Sequence, residues 1–419
     1  MPDHVILMTM VILFAVLAMG LKLPIGVSLA LSALTGALLG GEGLALRHLV
    51  EGSFGYFDTI LIILTAMIFM KVLQASGILD TITAHLLRTF YRRKIPLLLT
   101  VMLVIMFPGM ITGSSTAAVL STGTLVAPVL MKLGLPKLKT AAFIAMGGIL
   151  GMLAPPVNIL VMIMGGGVDM PYVGLTIPLL IIVVPLALAI ASWLGYRDIK
   201  IMDSASMNDL LPETVEGRFR FSLYMPLLVI FVFMIGPHVI EAIIPDIGIP
   251  AIFLIGSFTG IFCGRRFNIL RITQEAIPIL CILAGVGMFI QVMTLTGGRG
   301  WTVTSFLSLS PVLLYLGISI SMPLFGAVSA YGSASILGVP FILALINKNA
   351  IVTSAALSAV AGLGDLMPPT ALAGIFAAQV VGEKNYFKVL RHCLIPAFLV
   401  LAMGIGVLLL SPLIEKLVL

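Results

Sequence analysis

Charged residues are scarce in this chain of 419 residues: Asp, Glu, Lys and Arg make up 10%, whereas hydrophobic residues make up 60%. A chain of this composition cannot cover a water-facing surface, which excludes a soluble globular protein and indicates an integral membrane protein. The net charge is +6, from 23 basic and 17 acidic residues. The basic residues form no patch, so nucleic-acid binding is not expected.

Cysteine and histidine are also rare. The three cysteines, Cys263, Cys281 and Cys393, stand alone in or beside apolar runs, which excludes the CxxC spacing of metal and redox sites. The five histidines show no HExxH or paired spacing, and no His-Ser or Asp-Asp pair stands out as a membrane-depth nucleophile and base. An intramembrane enzyme is therefore disfavoured, and no cofactor is expected beyond a coupling ion.

Long apolar runs fill most of the chain. A helix needs about 20 apolar residues to cross a bilayer, so the sequence predicts an all-α polytopic protein of roughly ten to twelve spans. Unbroken spans are expected near 5–20, 24–40, 57–77, 171–196, 221–244, 249–264, 274–296 and 393–413. The first run lacks a basic n-region and a cleavage site, so we expect a retained span. Arg265, Arg266 and Arg271 predict a cytoplasmic loop, which places both termini on the outer face.

Two apolar regions are interrupted by helix breakers in the same order. Gly113-Ser114-Ser115-Thr116 precedes Pro155-Pro156, and Gly332-Ser333-Ala334-Ser335 precedes Pro368-Pro369. Glycine-serine turns predict re-entrant hairpins across 95–132 and 311–347, and the double prolines predict broken spans across 139–166 and 350–381. Paired interruptions at membrane depth are typical of a transport site.

The interruptions belong to an internal repeat. Val72 and Gly77 match Val292 and Gly297 at an offset of 220, Gly113-Ser114 matches Gly332-Ser333 at 219, and the proline pairs match at 213. The topology predicts that the copies are inverted, an architecture that places substrate and coupling-ion sites near the bilayer midplane. We expect N-terminal scaffold spans (1–56), a first repeat (57–196), a cytoplasmic connector (197–220), further scaffold spans (221–273) and a second repeat (274–419).

The double prolines have a chemical consequence. Proline removes backbone donors, so carbonyl groups of the preceding turn lose their partners. Na⁺ accepts such oxygens, and the hydroxyl groups of Ser114, Ser115, Thr116, Ser333 and Ser335 could complete its shell. Helix N-termini at the hairpin tips favour an anionic substrate.

Two polar side chains flank the breaks. Asp365 is the one charged residue between Ile351 and Gly382, and it lies three residues before Pro368. Such a carboxylate is a hypothetical cation ligand or proton carrier; the alternatives are that it satisfies freed backbone N–H groups or lies in water. Asn158 either caps the second half-helix or faces the substrate.

Amphipathic segments are expected on the cytoplasmic side. Between Ile78 and Lys94 the apolar residues repeat at helical spacing, which predicts an interfacial helix. A second such helix is expected from about Glu383 to Arg391.

In these motifs the chain resembles the large membrane subunit of the tripartite ATP-independent periplasmic (TRAP) transporters. The likeness rests on Leu23-Pro24-Ile25-Gly26, Ser76-Gly77-Ile78, the Gly113-Ser114-Ser115 turn and the two double prolines. It implies a sodium-driven elevator transporter in the bacterial inner membrane that imports an organic anion such as a dicarboxylate or sugar acid. It also implies two partners, a small four-helix membrane subunit and a periplasmic substrate-binding protein.

The resemblance places sodium sites at Gly113, Ser114, Ser115 and the segment before Pro155, and near Gly332, Ser333, Ser335 and the segment before Pro368. Together with Asp365, the predicted ion-binding set is Gly113, Ser114, Ser115, Leu153, Ala154, Pro155, Gly332, Ser333, Ser335, Asp365, Met367 and Pro368. The predicted substrate-binding set is Thr116, Asn158, Ser335 and Thr370. The chain departs from the family pattern at Ala117–Val119, where an acidic residue is common, and at Asp365, where a neutral residue is usual. Proton coupling in place of sodium, and a single-component transporter that needs no binding protein, are the alternatives.

Overall fold

The computed structural model describes residues 1–200, 221–239, 247–263 and 277–418. These residues form helices and no strand, which confirms the predicted all-α class. Seven helical segments are long and apolar enough to cross a membrane: Asp3–Gly20, Phe57–Ala75, Lys94–Thr112, Ser115–Lys132, Thr176–Gly195, Ile277–Leu295 and Tyr386–Leu409. The first and fourth of these include a π-helical turn, Val16–Gly20 and Val119–Gly123 respectively.

Shorter helices complete the bundle. The remaining helices are Ile25–Gly40, Leu46–Phe54, Ile78–Phe90, Lys137–Leu153, Ile159–Gly167, Met225–Val239, Ile249–Cys263, Gly298–Leu307, Pro311–Gly326, Ala330–Ser333, Val339–Ala344, Ala350–Gly362, Leu372–Val380 and Ser411–Val418. A π-helical turn at Ala334–Gly338 and 3₁₀ turns at Phe221–Tyr224 and Leu363–Leu366 join some of them.

One group of helices packs around Ile277–Leu295. Ile25–Gly40 and Leu46–Phe54 both lie against it. Glycines permit these close contacts, because a Cβ on Gly26 would lie 2.2 Å from the carbonyl oxygen of Cys281 and one on Gly52 would lie 2.5 Å from that of Gly287. Phe57–Ala75 packs beside it against Ile249–Cys263. We name these helices the scaffold group.

The second group contains two helical hairpins and two interrupted helices. The first hairpin is Lys94–Thr112 with Ser115–Lys132, and it packs against the first broken helix, Lys137–Leu153 with Ile159–Gly167. The second hairpin is Pro311–Gly326 with Ala330–Ala344, and it packs against the second broken helix, Ala350–Leu366 with Leu372–Val380. We name these four units the hairpin group.

The two halves of the hairpin group repeat each other closely. In each hairpin the second arm begins at a capping serine, Ser114 or Ser329, whose hydroxyl accepts a backbone N–H three residues on. One helical turn later each arm has a five-residue π-helical turn, Val119–Gly123 or Ala334–Gly338. The starts of the two π turns differ by 215 residues (334 − 119), the same offset as the two serines (329 − 114).

The predicted pairing of Gly113-Ser114 with Gly332-Ser333 is therefore wrong. Gly113 has φ +63° and ends a helix, whereas Gly332 and Ser333 lie inside the helix that follows the second tip. Identical dipeptides take different roles because Ser329, and not Ser333, caps the second arm. The sequence offers Ser-Ala-Tyr-Gly-Ser in this region, and only the backbone decides which serine is the cap.

The second amphipathic helix is also misplaced. Glu383–Arg391 is not a separate helix, because a single helix runs from Tyr386 to Leu409. The counterpart of Ile78–Phe90 is Gly298–Leu307, since Gly77 and Gly297, the residues before them, both take a left-handed conformation. The residues that set the predicted orientation, Arg265, Arg266 and Arg271, and most of the 197–220 connector lie outside the described residues.

Candidate functional site

The tip of the first hairpin is a tight polar turn. Gly113 ends the first arm at φ +63°, a conformation that favours glycine. A Cβ at this position would also lie 2.4 Å from Ile159 of the first broken helix. Ser114 then starts the second arm, and its hydroxyl accepts the N–H of Ala117. The turn is therefore fixed by conformation and by packing.

Ser115 connects the two repeats. Its side chain is 2% exposed, and its hydroxyl donates a hydrogen bond to the carboxylate of Asp365, which is 7% exposed. Asp365 lies in the 3₁₀ turn just before the second break. A buried carboxylate requires hydrogen-bonding or charged partners, and here that partner comes from the opposite repeat. Residues 250 positions apart thus meet at one point.

Tyr331 adds a third group to this point. It follows the second hairpin tip, and its phenol donates to the carbonyl oxygen of Gly113 at 3.5 Å. The phenol also interacts with the Ser114 hydroxyl and, electrostatically, with Asp365. Tyr331 was not among the residues predicted from the sequence. Its position in the sequence could have indicated it, because Tyr331 directly precedes Gly332, the first residue of the predicted motif.

The first break is held by Asn158. This residue is fully buried, and its side-chain oxygen accepts the N–H of Val161 while its amide donates to the carbonyl of Leu153 at 3.0 Å. The amide also donates to the hydroxyl of Ser358 in the second broken helix. Of the two interpretations of Asn158, the structure shows the cap. The Leu153 carbonyl, predicted as an ion ligand, accepts this bond, while Ala154 and Pro155 are buried in the break.

The second break is held by different side chains. Tyr386 donates to the carbonyl of Leu366, the counterpart of Leu153, and Thr370 donates to the carbonyl of Ala327 at the second tip at 2.8 Å. Ala371 starts the next half-helix without a side-chain cap and has φ +36°. Met367 is partly exposed and Pro368 is exposed. The equivalent carbonyls are thus satisfied in both repeats by unrelated residues.

The remaining predicted residues do not join the Ser115–Asp365 contact. Ser333 is buried and donates to the carbonyl of Met322, and Ser335 donates to that of Gly332 at 3.0 Å. The N–H of Gly332 is bonded to Ser329. Each of these groups is satisfied within its own hairpin, which is the close-packing role that glycine and serine often have in membrane helices.

The residues that do meet form an oxygen-rich cluster. We define the tip cluster as Gly113, Ser114, Ser115, Tyr331 and Asp365. It offers a carboxylate, hydroxyl groups and a backbone carbonyl. These oxygen ligands suit a hard monovalent cation, and the carboxylate can also carry an exchangeable proton. In the part of the chain that the structure describes, no three His, Cys, Asp or Glu residues group as a metal site.

Comparison with known proteins agrees with this architecture. The profile of the family described as tripartite ATP-independent periplasmic transporter, DctM component, matches residues 10–414. The chain belongs to this family. No curated protein matches it individually. As a DctM component it is a secondary-transporter subunit of the inner membrane and not an enzyme.

Two solved transporters share the fold of this DctM component. The YdaH transporter of Alcanivorax borkumensis superposes with a TM-score of 0.60 at 17% identity, covering 88% of this chain and 89% of that one. MtrF of Neisseria gonorrhoeae, described among antimetabolite efflux pumps, gives 0.55 at 14% identity, covering 87% and 83%. At these identities the likeness concerns the fold alone.

Proposed function

We propose that the chain imports an organic anion, of the dicarboxylate or sugar-acid type, coupled to a sodium gradient. The observation that carries the proposal is the Ser115–Asp365 contact, where the first hairpin tip meets the second break. The Asp365 carboxylate joins the two repeats through one hydroxyl group. A cation could bind this carboxylate in place of the hydrogen bond from Ser115. The coupling ion would bind in the tip cluster, with protons as the alternative ion.

Transport in this proposal is an elevator movement. The hairpin group moves as the carrier and the scaffold group remains in place, so that the tip cluster reaches each side of the membrane in turn. The packing supports this division, because each hairpin is tied mainly to its own broken helix and to the opposite repeat. Substrate would arrive from a periplasmic binding protein, and a small four-helix subunit would extend the scaffold, as membership of a tripartite family implies.

Uptake by reconstituted protein tests the proposal. Labelled organic acids are offered to proteoliposomes under imposed sodium or proton gradients, with the chain alone and with its small subunit and binding protein. Asp365→Asn and Ser115→Ala should each reduce sodium-driven uptake by about tenfold or more, because each removes a charge-assisted hydrogen bond of the cluster. Ser335→Ala is the matched control, since its hydroxyl bonds only within its own hairpin.

The outcomes separate the alternatives. Uptake that follows the proton gradient alone would replace sodium by protons as the coupling ion. Uptake by the chain without the other two components would favour a single-component transporter. Unchanged ion dependence in both cluster variants would contradict the assignment of the ion site.

A further inference from the structure

An apolar cavity of about 160 Å³ lies beside helix Ile78–Phe90. Its walls come mainly from this helix, from the first arm of the first hairpin and from helix Met225–Val239. Eight of the nine described residues that line it are apolar. One of these, Leu103, belongs to a membrane-spanning helix and is 47% exposed, so this rim of the cavity faces the hydrocarbon region of the bilayer. A ligand that reaches the cavity by this route comes from the lipid phase.

The ninth lining residue, Thr83, carries an unsatisfied hydroxyl group. Thr83 is 2% exposed, and its Oγ1 has no hydrogen-bond partner among the described residues. Thr81 and Thr89 of the same helix each donate to a carbonyl four residues earlier. Thr83 is therefore the exception in its helix, and a buried hydroxyl without a partner costs free energy. An acceptor oxygen on a ligand in the cavity would satisfy it.

Two further buried donors near the same helix lack partners. The Nε of Arg88 and the hydroxyl of Tyr224 are buried, and neither has a hydrogen-bond partner in the described part of the chain. The ring of Tyr224 packs edge-on against His85, with 6.5 Å between the ring centroids. His85 and Arg88 are three residues apart, so they share a face of the helix. A guanidinium and a phenol beside one imidazole can both donate to an anionic oxygen such as that of a phosphate.

The cavity and these donors are neighbours. Leu227 follows Tyr224 by three residues, about one helical turn along, and it lines the cavity. Arg92 and Arg93, both exposed, extend the positive charge beyond the end of helix Ile78–Phe90. Basic residues beside the ends of membrane-spanning helices are typical of the cytoplasmic side, where the bilayer surface is anionic. Positively charged groups at the membrane surface thus adjoin an apolar cavity that is open to lipid.

We propose that the cavity, together with Thr83, Arg88 and Tyr224, binds an anionic phospholipid of the bilayer. The lipid phosphate accepts from Arg88 and Tyr224, an ester carbonyl accepts from Thr83, and an acyl chain fills the apolar cavity. A phospholipid combines these three features in one molecule, whereas a soluble phosphate lacks the chain. The bound lipid ties helix Ile78–Phe90 to helix Met225–Val239, and this role depends on neither the coupling ion nor the transported solute.

Lipid titration of the purified full-length chain in detergent tests the inference. The probes are phosphatidylglycerol and phosphatidylcholine with the same acyl chains, and native mass spectrometry counts the bound lipid. Phosphatidylglycerol should bind about tenfold more tightly and raise Tm, because a ligand of the folded chain stabilises it. Arg88→Gln should weaken its binding by about tenfold or more, since it removes a charge-assisted bond to the phosphate. Arg93→Gln is the matched control, because it removes an equal charge at a nearby exposed position.

Variants of the hydroxyl groups test the other contacts. Thr83→Val keeps the shape of the side chain and should weaken both lipids severalfold, whereas Thr83→Ser should retain binding. Tyr224→Phe should weaken phosphatidylglycerol severalfold. Equal losses in Arg88→Gln and Arg93→Gln would overturn the inference, because they would show a diffuse attraction between charges. Inorganic phosphate that raises Tm as much as phosphatidylglycerol does would also overturn it, and so would lipid binding that Arg88→Gln and Thr83→Val both leave unchanged.

Discussion

At the scale of single residues, Asn158 decides what the first break can bind. The sequence suggested that double proline leaves carbonyls open for a cation, but the Asn158 amide occupies that of Leu153 and its oxygen caps the next half-helix. The break is therefore stabilised by protein groups. The proposed ion site is therefore the tip cluster, where the Asp365 carboxylate accepts a hydrogen bond from Ser115.

Removal of the Asn158 side chain should destabilise the protein markedly. Asn158→Ala loses a buried helix cap and the partner of a buried carbonyl, each worth about 1 kcal/mol or more. Asn385→Ala is the control, since Asn385 caps helix Tyr386–Leu409 at an exposed position. We expect a clearly larger fall in Tm for Asn158→Ala in detergent thermal melts. Equal falls would show that the buried network contributes little.

At the scale of helices, paired glycines set how closely each hairpin approaches its broken helix. A Cβ on Gly109 would lie 2.8 Å from the carbonyl carbon of Gly151, and one on Gly326 would lie 2.7 Å from the Cα of Gly364. The same contact thus occurs in both repeats. In each case the nearest atoms belong to the backbone, which cannot move aside as a flexible side chain can.

Gly326→Ala should therefore separate the second hairpin from its broken helix. It should lower Tm and reduce uptake, because overpacking of this kind costs about 1–3 kcal/mol. Gly317→Ala on the same helix is the control, since a Cβ there meets nothing within 4 Å. That variant should be neutral or stabilising, because alanine is the better helix former by about 1 kcal/mol. Similar behaviour of the two variants would contradict the role of the glycine contact.

These elements also show how far the sequence alone could lead. The length of the apolar runs predicted most of the helices, including Phe57–Ala75 and Ile249–Cys263, because a helix that crosses a bilayer must be apolar over most of its length. The second hairpin tip and the separate helix at Glu383–Arg391 were wrong, since capping and helix continuation depend on local backbone geometry that several serines or polar residues can satisfy. Ser115 and Asp365 were both predicted in the ion-binding set, but the hydrogen bond between them was not, because a sequence does not report which side chains of two repeats face each other.

At the scale of the whole molecule, two side chains from outside the hairpin group bond to its first broken helix. Tyr56 is buried at the start of helix Phe57–Ala75 and donates to the carbonyl of Ile163 at 2.8 Å. Arg299, in the helix that follows Gly297, donates to the carbonyl of Gly167 at 2.7 Å. Both bonds reach the half-helix Ile159–Gly167 of the hairpin group. In the proposed elevator movement both must break before the carrier can slide.

Loss of these bonds should shift the balance between carrier positions. A neutral hydrogen bond contributes about 1 kcal/mol and a charge-assisted one about 1.5–3 kcal/mol. Tyr56→Phe should therefore change the ratio of the two positions by roughly fivefold, and Arg299→Gln by about tenfold or more, away from the described conformation. Distances between spin labels on the scaffold group and on the hairpin group measure this ratio.

Arg47→Gln is the control, because Arg47 is exposed and pairs with Glu51 of its own helix. A distance distribution that none of these variants alters would mean that other contacts fix the carrier, and an equal shift in Arg47→Gln would mean that the effect is one of net charge.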